Sequence, residues 1–319
     1  MKNKILFEKF SRQLHDQLPF CMRYEWWDEV VKDQWEVAVA ANGSQVLAIM
    51  PFYKVKKGPW TVISNPHFTP YSGPFYDYPD NQKTTTKVSY ENKINQSLID
   101  QLPSYASLNL NCHLEFSNSL SFLWNGFQDL NRYTYLLNLK QDKEFIWKNF
   151  RENMRRDIRK AEKNIVVEPN EQPDVIEFCL KESYRKQKKK YPPIFNQYYG
   201  RIFEFMKKYK CGKSWKAVDK DGKELHASIC CLWDNKSAYY LIGGTTQEHS
   251  NSGAVSLLLW HAIQESQKMG QNYFNFEGSI LPGVEKFFRG FGGELTPYSN
   301  LKSEPSPTYQ FFKSIKSTF

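Results

Sequence analysis

The sequence lacks every compact signature of covalent or metal-centred catalysis. It has no Gly-x-Ser-x-Gly elbow to expose a nucleophilic serine, no His-Glu-x-x-His helix, and no complete Gly-x-x-x-x-Gly-Lys-Ser/Thr phosphate loop. Its six cysteines (Cys21, Cys112, Cys179, Cys211, Cys230, Cys231) make no Cys-x-x-Cys pair, and adjacent Cys230 and Cys231 on a strand point to opposite faces. They read as reduced, buried thiols, and cytoplasmic localisation is the expectation. The six histidines (His15, His67, His113, His226, His249, His261) stand apart along the chain, so no metal is expected. No apolar run approaches the roughly 20 residues of a membrane span, so no transmembrane segment is expected. The lysines of Met1–Phe10 are followed by no signal-peptide apolar core. These absences argue against ATP hydrolysis, zinc hydrolysis, acyl-enzyme chemistry on Ser or Cys, and membrane insertion. Peripheral contact with a membrane surface stays open.

What the chain has is aromatic mass and positive charge. Its 319 residues include 23 Phe, 19 Tyr and 9 Trp, enough apolar bulk for two cores. Forty-three basic against 34 acidic side chains leave a formal charge of +9. That surplus suits an anionic partner such as a nucleotide, a polyphosphate, a nucleic acid or an anionic membrane.

The patterning alternates strands and helices. Trp35–Ala40 and Gln45–Tyr53 flank an Asn42-Gly43 turn, a hairpin signal. Gly58–Pro79 is so punctuated by Pro and Gly that it reads as long ordered loops. A helix is expected over Lys87–Leu102 and strands over Ser107–Phe116 and Tyr133–Leu139. One long helix is expected from a cap at Asp142 to about Asn164. A short strand at Ile165–Val167 and helices at Asp174–Gln187 and Phe195–Lys210 come next. Lys213–Asp219, Leu225–Trp233 and Ala238–Gly243 form a meander. Helix Ser252–Met269 stops at Gly270 and is followed by a strand, Tyr273–Glu277, and a closing helix, Pro307–Lys316. The expectation is an α/β fold with a mixed sheet, in two domains spanning 1–131 and 132–319.

Four places carry candidate chemistry. On the 142–164 helix, Arg151, Arg155 and Arg159 recur at four-residue spacing with Arg156 beside them. Planar guanidinium forks suit phosphate, although Glu152, Asp157 and Glu162 are there to neutralise them. The run Lys181–Lys190 is denser, and reads either as solvated surface or as a nucleic-acid contact with Tyr191, Tyr198 and Tyr199 as stacking partners. Glu248–Ala254 (EHSNSGA), with Asn251 and Gly253, precedes a helix start where backbone N–H groups favour anions. Finally, Glu277 closes its strand on the face of Tyr273 and Asn275, away from Phe274 and Phe276. Lys286, Arg289, Phe291 and Gly292 follow in EKFFRGFGG. Glu277 and Lys286 are the candidate catalytic side chains. Arg155, Arg156, Arg159, Asn251, Gly253, Arg289, Phe291 and Gly292 are the candidate substrate- or phosphate-binding positions.

Two of these segments carry a family resemblance. Phe150–Asn164 (FRENMRRDIRKAEKN) resembles the arginine-rich helix of the FemAB-like aminoacyl- and acyltransferases, and Asn275–Leu295 (NFEGSILPGVEKFFRGFGGEL) is similar to their terminal strand and following segment. The resemblance covers about Tyr133–Phe319. It implies a tandem GNAT-like acyl-CoA N-acyltransferase fold and direct transfer from acyl-CoA or aminoacyl-tRNA to an amine, with no metal. The acceptor could be a cell-envelope or polysaccharide precursor or a small amine. A relative without catalysis that binds an anionic ligand or nucleic acid is the alternative. Ser250–Val255 keeps Gly253 but lacks the leading Gln/Arg and final small residue of the GNAT pyrophosphate loop, and the chain has no coiled-coil arm.

Overall fold

The structure, a computed structural model, describes residues 2–278 and 281–318. In chain order the first elements are α1 (Lys2–Gln13), β1 (Trp35–Asn42), β2 (Gln45–Lys57), β3 (Trp60–Ser64), β4 (Phe75–Tyr76), α2 (Thr84–Ile99), β5 (Ser107–Asn111) and α3 (Leu120–Trp124). Next come β6 (Gln128–Asn138), α4 (Lys143–Asn149), α5 (Glu152–Asn164), β7 (Ile165–Pro169), α6 (Pro173–Lys186), α7 (Asn196–Tyr209), β8 (Gly212–Asp219), β9 (Leu225–Trp233) and β10 (Ser237–Thr245). The last are α8 (Ala254–Lys268), β11 (Tyr273–Asn275), α9 (Pro282–Arg289), β12 (Glu294–Ser303) and α10 (Pro307–Thr318). No helix among the described residues is long and apolar enough to cross a membrane.

Contacts divide the chain into one unit of 1–132 with 297–319, and another of 133–296. The sequence expectation is 1–131 and 132–319. The last 23 residues, however, return to the first unit, because Asn300–Ser303 of β12 pairs with β5.

In the first unit, Gly43 (φ +61°) turns β1 back onto β2, with Asn42 opposite Gln45. The Gly58–Pro79 stretch, expected as loop, contains β3 and β4. Trp60–Ser64 is too short to stand out between Gly58-Pro59 and Asn65-Pro66, yet β2 supplies it an antiparallel partner and β5 a parallel one. Met50, Phe52, Ile63, Leu98, Leu108, Leu110 and Phe122 form the core beneath.

The second unit orders its strands β6-β11-β10-β9-β8-β7. All neighbours run antiparallel except β10 and β11, which pair in parallel only over Ser237–Tyr239 and Tyr273–Asn275. Beyond that register the two part, as β10 continues beside β9 while β11 stops. Helices α6 and α7 pack on one face of the sheet and α8 on the other. Accordingly Cys230 and Cys231 are both buried although they face opposite ways.

The expected helix from Asp142 to Asn164 is two helices. Asp142 does cap α4, accepting the Phe145 N–H at 2.8 Å. The chain then breaks at Phe150 and Arg151, whose ψ values of 143° and 146° are extended. Arg151 N–H donates to Gly290 O at 2.9 Å instead of continuing the helix. Phe150, 2% exposed, turns into a cluster with Trp260 (centroids 5.2 Å apart) and Phe291 (5.1 Å). Phe150→Ala should therefore lower stability by about 3–5 kcal/mol. Phe145→Ala, on the exposed face of α4, should stay within about 0.5 kcal/mol of the parent in the same urea titration.

Candidate functional site

Glu277 sits where β11 gives way to a tight turn. Phe274 pairs opposite Leu137, and Phe276 N–H donates to Tyr135 O at 3.1 Å, so both aromatic rings stay in the core. Buried Asn275 then ends the alternation. Its Oδ1 accepts the Thr134 hydroxyl at 2.6 Å and the Glu277 N–H at 2.9 Å. That closure puts Glu277 at φ +61° and Gly278 at φ +60°. A Cβ on residue 278 would lie 1.9 Å from Tyr133 O, so only glycine lets the turn press against β6.

Glu277 therefore does not share the outward face of Tyr273 and Asn275, as strand alternation implies, because the strand has already ended. Its Oε1 is buried and has no hydrogen-bond partner among the described residues. Burial pushes its carboxyl well above the usual carboxylate range. A left-handed, non-glycine residue costs about 1–3 kcal/mol. Glu277 thus combines left-handed backbone with a buried carboxyl oxygen that has no partner among the described residues.

Helix α9, whose Phe288 ring centroid lies 5.6 Å from that of Phe276, carries Glu285, Lys286 and Arg289. Glu285 Oε1 accepts the Tyr135 hydroxyl at 2.5 Å and lies 3.0 Å from Arg289 Nε. Burial first, and the Glu285 carboxylate second, raise the Tyr135 phenol above its ordinary value, keeping it a donor. Lys286 is exposed. Phe291 is fully buried against Phe150 and Phe276, so its ring is part of the core. Gly292 lines a cavity of about 390 Å³ with Asn138, Phe145, Asn149 and Tyr273. Sequence reading passed over Tyr135 and Glu285. The four-residue spacing of Glu285 and Arg289 was the one available signal, and Tyr135 had none.

The α5 arginines occupy different settings. Arg155 pairs with Glu152 and reaches Lys148 O at 3.4 Å, yet its Nε is buried with no acceptor among the described residues. The Arg159 guanidinium lies 5.6 Å from the Trp147 ring centroid. Arg156 is 75% exposed beside Asp157. Gly253 (φ +79°) starts α8 and packs on α5, where a Cβ would come 2.8 Å from Asp157 O. At 100° per residue, positions 157 and 161 face Gly253, and Arg155 and Arg159 project roughly 160° away. The Asn251–Gly253 loop and the Arg155/Arg159 pair thus flank α5 on opposite sides rather than forming one anion cradle.

In the basic run, Arg185 pairs with Glu182 and Lys181 with Glu177. Tyr198 and Tyr199 are buried, so they pack α7 instead of presenting stacking faces. The histidines correct a further expectation. His226 and His249 are separate in sequence but stack with ring centroids 3.9 Å apart, and Glu224 stands beside them.

The comparisons with known proteins accord with this geometry. Residues 148–289 match the family described as acetyltransferase (GNAT) domain. That match lies within the second unit, 133–296. FemX superposes on 91% of this chain and 93% of its own, with 12% identity and a TM-score of 0.65. The C-terminal DUF2156 domain of a putative lysylphosphatidylglycerol synthetase from Agrobacterium fabrum covers 94% and 92%, with 10% identity and a TM-score of 0.56. A tandem GNAT protein from the clavulanic acid biosynthesis pathway covers 86% and 85%, with 10% identity and a TM-score of 0.51. The chain thus has the fold of the FemAB-like and tandem GNAT proteins. No curated protein sequence matches it.

The Glu277 carboxyl makes stability depend on pH with a definite sign. Its folded pKa lies above its ordinary value of 4.5, so the folded chain keeps the proton to higher pH. The resulting stabilisation is complete below about pH 4.5 and is lost as pH rises through the folded pKa. Removing the charge with Glu277→Gln should raise Tm relative to the parent at pH 8 by more than at pH 5. A difference in Tm that is the same at both pH values would mean that the carboxyl is solvated.

Proposed function

We propose that this protein transfers an acyl or aminoacyl group from an activated, phosphate-bearing donor to an amine, and that Glu277 takes the proton. The observation that carries this reading is Glu277 on left-handed backbone, its Oε1 buried with no partner among the described residues, just past the point where β10 and β11 part. The attacking amine forms the new C–N bond, the thiolate of CoA or the ribose oxygen of tRNA departs, and the amine proton moves to Glu277. Once ionised, a carboxyl with raised proton affinity is a stronger base than a solvated carboxylate. Backbone N–H groups and alignment of the reactants supply the remaining acceleration.

Several cations are assigned to the donor phosphates. Arg155, with its unused Nε, and Arg159 form one arm, with Arg156 beyond them. The start of α8 at Asn251 and Gly253 lies on the other side of α5 and is assigned to a separate phosphate of an extended donor, since helix N-termini favour anions. Lys286 and Arg289 on α9 are placed near the transferred group, with Tyr135 and Glu285 holding Arg289, and Gly292 and Phe291 shaping the wall behind them. Likeness of fold to FemX and to a lysylphosphatidylglycerol synthetase domain supports a cell-envelope amine as acceptor and aminoacyl-tRNA as a donor besides acyl-CoA. A cytoplasmic enzyme working on precursors at the membrane surface fits this assignment.

Direct binding separates the donors. The purified protein is titrated with acetyl-CoA, longer acyl-CoAs and an aminoacyl-tRNA, using uncharged tRNA as control. Saturable CoA binding assigns an acyl-CoA donor. Binding that depends on the esterified amino acid assigns aminoacyl transfer. With the donor known, Glu277→Gln should lower the transfer rate about 100- to 10,000-fold while leaving donor Kd unchanged. Arg155→Ala should weaken donor binding instead. Donor binding with no turnover under any acceptor, together with an inert Glu277→Gln change, would favour a binding-only relative.

A further inference from the structure

The β9 start and the loop entering α8 bring together three groups that the acyl-transfer reading does not use. His226 lies on β9, Glu224 one residue before that strand, and His249 in the connection from β10 to α8. Thr246 N–H donates to His226 O at 2.9 Å, which anchors the connection next to the β9 histidine. The two imidazoles stack at 3.9 Å with their planes 25° apart, and His249 Nε2 is 3.1 Å from Glu224 Oε2. One donor atom from each of the three lies within 4.8 Å of the others.

His226 shows that this is more than chance proximity. It is only 8% exposed, and both its ring nitrogens are buried with no hydrogen-bond partner among the described residues. An imidazole always presents one N–H donor and one acceptor or two donors, and burying both unmet is costly. Glu224 and His249 also line a cavity of about 700 Å³, with Phe178, Arg185 and Thr246 on its walls.

We propose that Glu224, His226 and His249 bind one divalent transition-metal ion of the zinc class through two imidazole nitrogens and one carboxylate oxygen. Three protein ligands leave a fourth position for water or an anionic ligand from the adjoining cavity. Two nitrogens in the set favour zinc, nickel, copper or iron over magnesium and calcium, which prefer oxygen. Bonds of 2.0–2.1 Å in a tetrahedral site put ligand atoms about 3.3 Å apart, so the donors must draw together by about 1.5 Å and the stacked rings must turn until their in-plane lone pairs converge on the ion. The bound ion would tie β9 to the loop that ends at Gly253 and so set the approach of the chain to α8.

The test uses the full-length, tag-free protein after dialysis against a chelator. Zn²⁺ is titrated in competition with a chromophoric chelator, and Co²⁺ is followed by its visible absorption. One tight equivalent per chain is expected, with the intense d–d bands of a low-symmetry Co²⁺ site and no displacement by Mg²⁺. His226→Gln and Glu224→Gln should each weaken binding about tenfold or more. Glu224 has a 62% exposed side chain, so its replacement tests the site even where a His226 variant fails to fold. Zinc affinity unchanged by either replacement, or no bound equivalent in the parent, would overturn the site. Because the readout is metal binding, a failure here is independent of acyl transfer, and loss of transfer in Glu277→Gln does not touch it.

Discussion

The second unit is organised by the close approach of Gly290–Gly292 to the break between α4 and α5. A side chain at either glycine would collide, at 290 with Met154 Cε and Phe287 O and at 292 with Asn149 O. With none there, Gly290 O accepts the Arg151 N–H and Phe291 slides beneath Phe150. From Phe291 the aromatic contacts run to Phe276 at the end of β11, and from Phe150 to Trp260 on α8. Each such pair adds about 0.5–1.5 kcal/mol beyond the area it buries. Four helices and the strand leading to Glu277 are thereby referenced to one cluster. The two stretches that carry the family resemblance meet here, and their glycines and phenylalanines serve this joint.

Against that apolar frame, polar groups without partners stand out. Native interiors leave few buried donors or acceptors unpaired, because each costs desolvation without return. Among the described residues of this unit, Glu277 Oε1, Arg155 Nε and the His226 ring are three such groups and belong to candidate sites, while Gln271 Oε1 is a fourth that does not. Glu277 combines the cost with left-handed backbone, held in place by Asn275 and by the absence of a side chain at Gly278. The aromatic joint supplies the rigidity that such strain requires.

Much of the local structure was legible in the sequence because its causes are local. The Asn42-Gly43 hairpin, the β8–β10 meander, the Asp142 cap and the Gly270 stop each follow from turn chemistry or periodicity within a few residues. The apolar stripe of Met154, Ile158 and Ala161 was readable for the same reason. The break at Phe150–Arg151 was not, because a hydrogen bond from Gly290, far along the chain, decides it. Strand β3 was equally hidden, since its two partners make it a strand where its flanking prolines argue for loop.

The sequence by itself determined the class of fold, the arginine-bearing helix and the acid at the end of a strand, since these depend on side-chain identity and short-range spacing. Only the tertiary structure decided where those groups point. It set Glu277 inward because the strand ends at Asn275, and it parted Arg155 and Arg159 from Gly253 because they occupy opposite sides of α5. It also stacked His226 on His249, because a β-strand and a loop 23 residues apart close on each other in the sheet. Long-range pairing has no local signature, and this chain's functional candidates are built from it.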